Sequence, residues 1–185
     1  MNFHRTTGTP KGLLSVVAGN SPEIRGGLVE QLLRTSPEAV VLSVSVEVGP
    51  FGGYPVVRRL MTTVGPRSAA PASLGATGDP VVIVRQDMVA LHRATKDVHV
   101  VLALPEHVDV LPFLHRLWRT RIGADSLDDH YDAAPVLVGV DPAAFLTDIT
   151  CVHRTVRVWS GDAQDEPLTP SEAAARQVER PTPSS

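Results

Sequence analysis

The sequence predicts an α/β fold: three layers, with a mostly parallel sheet covered by helices on both faces. Three observations carry that expectation. Short, continuous apolar runs recur along the chain, the pattern of strands buried on both sides. Most of these runs lead into a segment with helical spacing and a capping signal at its start. Apolar residues make up 43% of the 185 and charged residues 20%, enough apolar surface for a real core and too little charge for global disorder. Aromatics are only 4%, so Ala, Val and Leu must fill that core. At 19.8 kDa the chain is the size of one domain. We read residues 1–180 as that domain and 181–185 as a frayed tail.

Residues 13–18 (LLSVVA) read as the first strand. Ser21-Pro22-Glu23 then opens a helix, with Ser at the N-cap, Pro at the first helical position and an acid in the first turn. Leu28, Leu32 and Leu33 form its apolar stripe. The run 39–46 (AVVLSVSV) is the second strand, and 49–53 is a Gly-Pro loop. Val57, Leu60 and Met61 have helical spacing, which predicts a helix over 54–63. Residues 65–80 are rich in Gly, Pro, Ala and Ser and read as an excursion or loop. The β-branched run 81–84 predicts a third strand, followed by a helix over 85–96 with Met88, Val89 and Leu91 inward. Strand signals return at 98–104. Residues 109–121 are amphipathic, with Leu111, Leu114, Leu117 and Trp118 on one face. After an acidic loop at 123–132, 134–140 predicts another buried strand and Asp141-Pro142 caps a short helix. The alternation at 152–159 predicts a late strand. Thr169-Pro170-Ser171-Glu172 has the spacing of a capping box opening a last helix to about 179.

Composition removes several function classes. The formal net charge is −3, so no nucleic-acid partner is expected on charge grounds. The single cysteine, Cys151, can form neither an internal disulfide nor a Cys-rich zinc site, and it suits a reducing compartment. No apolar run approaches the roughly 20 residues of a membrane helix, and the first residues lack a signal-peptide pattern. A cytoplasmic protein with no membrane partner is the expectation. Only two of the 17 Lys and Arg residues are lysines, Lys11 and Lys96, a bias of GC-rich coding.

Ligands of parallel sheets sit at the carboxyl ends of the strands, so the turn after Ala18 is the first place to look. A phosphate-binding loop reads Gly, four residues, then Gly-Lys-Ser/Thr. Counting from Gly19, Ile24 stands at the second Gly, Arg25 at the Lys and Gly26 at the Ser/Thr. Ile24 blocks close approach of phosphate to the backbone. Arg25 keeps the charge as a planar fork. Gly26 has no hydroxyl for magnesium, and Pro22 removes one N–H from the cradle. Two readings follow. One is a degenerate phosphate loop using Gly19, Asn20, Ser21, Arg25, Gly26 and Gly27. The other is a plain strand–turn–helix capped by Ser-Pro-Glu.

Five segments in order carry a family likeness: LLSVVAGNSPEIRGGLVEQLLR (13–34), VVRRLM (56–61), GDPVVIVRQDMVALHR (78–93), HVVLALPEHVDVLPFL (99–114) and VLVGVDPAAFLTDIT (136–150). Together they resemble the N-terminal domain of CobW-type GTPases, particularly divergent actinobacterial members, over about residues 12–179. The resemblance implies a P-loop NTPase-like fold and a link to metal handling, namely zinc transfer or cobalt insertion. It also places Gly19 at the first loop glycine and Arg25 at the catalytic lysine. Residues 78–87 stand where the family carries its cysteine motif, and none of them is Cys. Residues 102–106 stand near the Walker B and switch region, with Glu106 the one acid and without Glu-Thr-Ser-Gly. The guanine-reading Asn-Lys-x-Asp and the C-terminal domain of the family have no counterpart before Ser185. The resemblance therefore implies a shortened, non-hydrolysing relative in zinc or cobalt homeostasis, with no catalytic residue, no metal ligand and at most weak GTP–magnesium binding. An active GTP-dependent metallochaperone and a protein-interaction module without nucleotide, bound to a partner or a homologue, are the alternatives.

Other clusters carry chemistry on paper. Asp125, Asp128, Asp129, His130 and Asp132 offer hard-metal or zinc ligands, or a solvated acidic loop. Cys151 and His153 share a strand face but lack an orienting third group. Glu106, His107 and Asp109 make either an acid/base cluster or a capped helix start. Arg116, Trp118, Arg119 and Arg121 mix cations with an aromatic, either for an anion or as a core Trp with arginines at a helix end.

Overall fold

Seven stretches, 10–47, 54–62, 72–106, 108–119, 126–151, 156–159 and 167–178, are described by the computed structural model. In chain order they form β1 (Gly12–Gly19), α1 (Pro22–Thr35), β2 (Val40–Val46), β3 (Pro55–Thr62), β4 (Ala72–Thr77), α2 (Pro80–Ala94), β5 (His99–Ala103), α3 (Val110–Arg119), a 3-10 turn (Leu127–Asp129), β6 (Tyr131–Gly139), α4 (Pro142–Thr150), β7 (Val156–Arg157), β8 (Pro167–Leu168) and α5 (Pro170–Val178). Six strands make one sheet in the order β4-β3-β2-β5-β1-β6. The four strands β2, β5, β1 and β6 are parallel, and β3 and β4 add an antiparallel margin. The expected α/β architecture with a mostly parallel sheet is therefore present.

Side-chain alternation splits the core in two. Leu14, Val16 and Ala18 of β1 join Leu42, Val100 and Leu102 on one face, under Val84 and Met88 of α2 and Phe113 and Leu117 of α3. On the other face Val17, Ala39, Val41 and Val101 meet Leu28, Val29, Leu32 and Leu33 of α1. That second core is small, and no residue of α1 itself is fully buried. Trp159 sits at the far side of the larger core, its ring edge-on to Phe113 at 5.5 Å.

Capping follows the sequence closely. Ser21 accepts from the Ile24 N–H, and Asp141 caps α4 through the Ala143 N–H. The Thr169–Glu172 box opens α5: Glu172 accepts from the Thr169 N–H at 2.8 Å, and these bonds hold its carboxyl below the usual range. Four expectations are corrected. Residues 55–62 are strand β3, not a helix. Arg58, at an inward position of its alternation, is buried beside Asp87 of α2 at 3.2 Å. Residues 81–84 are not a strand but the first turn of α2, capped by Asp79 with Pro80 at the first position. Part of the 65–80 excursion is strand β4, while 65–71 lie outside the described residues. Finally, β6 is an exposed edge rather than a buried strand, with Val136 and Val138 about two-fifths exposed. It takes three steps, Ala133 to Val136, where β1 takes two, a bulge at Pro135, which has no N–H for a ladder. Residues 49–53, 152–155 and 181–185 also lie outside the described residues.

Removing the Phe113 ring opens a cavity against Trp159 and should lower unfolding free energy by about 3–5 kcal/mol. Leu146→Ser, on a side chain 66% exposed, should stay within about 0.5 kcal/mol. Urea denaturation of the two variants checks the contrast.

Candidate functional site

The carboxyl ends of β1, β5 and β6 converge on the turn between β1 and α1. β1 ends at Gly19 with φ +156°, and a Cβ there would fall on the carbonyl oxygen of Gly139. A Cβ on Gly139 would in turn strike Ile24 of α1. Two glycines thus let two strand ends and a helix meet, a contact that any larger residue would wedge apart. The turn itself has only two residues, Asn20 and Ser21. Asn20 clasps the next crossover: its Oδ1 accepts from the Asp141 N–H at 2.7 Å and its Nδ2 donates to the Asp141 carbonyl at 3.2 Å. Ser21, itself buried, holds the first turn of α1.

Since α1 begins at Pro22, Arg25, Gly26 and Gly27 lie within its first two turns. Arg25 folds back toward the strand end. Its Nη1 donates to the Gly19 carbonyl at 2.7 Å and to Glu106 at 2.9 Å. Its side chain is 14% exposed and that of Glu106 37%, so the pair is half-shielded and stronger than a surface ion pair. The cation at the lysine position therefore already holds an anion supplied by the chain. A methyl group placed on Gly26 or on Gly27 would meet nothing within 4 Å, so packing does not require either glycine.

The six candidate residues are brought to one strand edge, three in or before the turn and three on the helix. The remaining candidates disperse. Glu106 pairs with Arg25, whereas Asp109 pairs with Arg176 of α5 at 3.6 Å; His107 lies outside the described residues. In the acidic segment Asp132 pairs with Lys11, Asp129 accepts from the Ser126 N–H and Asp128 faces solvent, while Asp125 lies outside the described residues. Among the described residues, no three His, Cys, Asp or Glu side chains come together to hold a metal. Cys151 ends α4, and His153 lies outside the described residues. Arg116 stands in the last turn of α3, as read from the sequence. It bridges to Asp79, the cap of α2, and lies 5.3 Å from the Trp159 ring centroid. Trp118 packs against the core, and Arg121 lies outside the described residues.

No protein-family model, curated protein or solved structure matches the chain. The CobW likeness therefore stands on the sequence segments alone; the structure shows a mixed α/β sheet with helices on both faces. Among the described residues, no helix is long and apolar enough to cross a membrane.

Four polar pairs escaped the sequence reading. His92, 1% exposed, donates from Nε2 to the Pro10 carbonyl, and its Nδ1 lies 3.1 Å from His130 Nδ1. The adjacent Tyr131 hydroxyl donates to the Met88 carbonyl at 2.7 Å, and burial pushes its pKa well above the usual tyrosine value. Ser15 and His99 Nε2 lie 2.9 Å apart; burial holds the imidazole below its ordinary pKa, against a smaller opposing pull from Glu38. Burial raises the Asp87 carboxyl, and Arg58 opposes it. Only the Asp and His letters themselves signal these pairs, because the partners are 29 to 84 residues apart.

Gly19→Ala should cost about 1–3 kcal/mol through overpacking, whereas Gly26→Ala should gain about 0.5–1 kcal/mol from helix propensity. Chemical denaturation of both separates a required glycine from a dispensable one. His99 makes a pH prediction. Its folded pKa is depressed, so its contribution is whole above the unfolded value near 6.5 and is lost as pH falls through the folded pKa. Asp87 has the opposite sign, favouring the fold in acid. The Tm of His99→Gln should fall less steeply than wild type between pH 7 and 5, as measured by thermal melts.

Proposed function

We propose that this chain is a non-hydrolysing relative of CobW-type GTPases, a module of nucleotide-enzyme ancestry that works in zinc or cobalt homeostasis through a protein partner or homologue. The single observation that carries this reading is the Arg25–Glu106 pair. In a phosphate loop the cation and the helix N–H groups converge on a bound anion. Here the cation donates to a backbone carbonyl and to an internal carboxylate. The turn is two residues long, and Gly26 offers no hydroxyl where magnesium would need one. These residues do not fit a magnesium-bound triphosphate.

Each lost charge-assisted bond weakens binding by about 1.5–3 kcal/mol. Two such losses amount to roughly 100- to 10,000-fold in affinity. The expected ligand-free working state agrees with a module that acts by contact. Exposed apolar side chains favour the same conclusion: Val136 and Val138 on the β6 edge, with Leu146 and Ile149 on α4.

Calorimetric titration with GTP and magnesium should show no saturable binding at micromolar concentrations, and GTP turnover should equal the protein-free blank. Micromolar binding, or turnover that disappears in Arg25→Ala, would instead support an active metallochaperone with Arg25 in the lysine role.

A further inference from the structure

Beside the phosphate-loop position, on the face of the sheet that α1 covers, lies a half-open cavity of about 220 Å³. Arg25, Gly26 and Val29 form its helix wall, and Val41, Met61 and Leu104 form its sheet side. It lies at the carboxyl end of β5, beside the middle of β2, and the carboxyl ends of strands are where open α/β sheets take their ligands. Gly26 leaves its part of the helix wall bare, since a Cβ there meets nothing within 4 Å, and a helix interior ordinarily selects against glycine. The walls are aliphatic, with Ser43 and Arg25 as polar groups. Arg25 uses Nη1 for Gly19 and Glu106, and its Nε and Nη2 hydrogens have no acceptor among the described residues. A planar guanidinium among the lining residues of an aliphatic slot matches a carboxylate on a short hydrocarbon chain.

We propose that this cavity binds a short aliphatic carboxylate, its chain between Val29, Val41, Met61 and Leu104 and its carboxylate on Arg25. A cavity of about 150 Å³ accommodates a six-carbon ring, so about seven to nine non-hydrogen atoms fit here. Isovalerate and hexanoate have that size. Glu106 competes for the same guanidinium, and so it sets the affinity. This inference does not require the chain to bind nucleotide: the carboxylate would take guanidinium donors other than the Nη1 hydrogens that hold Gly19 and Glu106.

The test is a titration of the full chain, labelled at its methionine methyls, with isovalerate, hexanoate and the uncharged isopentanol. Of the chain's three methionines, Met61 lines the cavity and Met88 lies in the opposite core. The acids should shift the Met61 signal saturably, with a Kd of about 0.1–1 mM, and leave Met88 in place. Isopentanol should bind at least about tenfold more weakly, for want of the charge-assisted bond. Glu106→Gln should tighten the acids by about three- to tenfold, since it removes the competing anion. Gly26→Leu adds an aliphatic side chain at the helix wall, where a Cβ meets no neighbour, and should abolish the Met61 shift while its thermal melt stays at or above wild type. Equal binding of acid and alcohol, no effect of Gly26→Leu, or no saturable Met61 shift overturns the proposal. A GTP titration run on the same sample reports separately on the preceding reading.

Discussion

The backbone contact between Gly19 and Gly139 governs this end of the molecule. With no side chain on either residue, the ends of β1 and β6 close on each other and on Ile24. The chain must then enter α1 almost at once, and Pro22 with the Ser21 cap lowers the entropy cost of that entry. A longer loop would leave N–H groups pointing inward around an anion. A two-residue turn leaves them to the helix and its cap instead. Asn20 completes the closure, using both ends of its amide on Asp141, so two crossovers are tied across the top of the sheet.

Arg25 inherits its position from that constraint. Four residues into a helix that starts at the strand end, its side chain is long enough to reach back to the Gly19 carbonyl and across to Glu106. A lysine would make the same charge contact but could not keep a planar fork with donors left over on its second edge. The residue therefore does two things: it neutralises an anion just past the end of β5 and it lines the cavity.

How much of this was legible in the sequence varies with the range of the interaction. The caps at Ser21, Asp141 and Thr169 are local, and each was readable within four letters. The strands β1, β2 and β5 were readable because both their faces are covered and the apolar run is unbroken. β3 was not readable. Its inward position 58 is an arginine, stabilised by Asp87 from another element, so the period of two was masked and Val57, Leu60 and Met61 imitated a helix. The valines at 81–84 misled in the opposite direction. Strand propensity was overridden by the Asp79 cap and by packing that buries α2 on several sides. At the site, the turn was visible, but its partners were not: Glu106 is 81 residues from Arg25, and Asp141 is 121 from Asn20.

The two cores divide stability from function. The larger one, under α2 and α3, contains the fully buried Phe113, Leu117 and Trp159, the side chains whose loss the fold tolerates least. The layer under α1 has four fully buried residues on its sheet side and no fully buried helix residue, and it carries two glycines in the helix itself. By local packing it opens at lower free energy than the opposite layer. The cavity, Arg25 and Glu106 all belong to this lighter layer. A ligand or partner that ordered it would gain from contacts the chain alone does not make, whereas one acting on the α2 and α3 face would have to disturb a core already complete. That difference, more than the presence of any single residue, directs attention to the α1 face as the working surface.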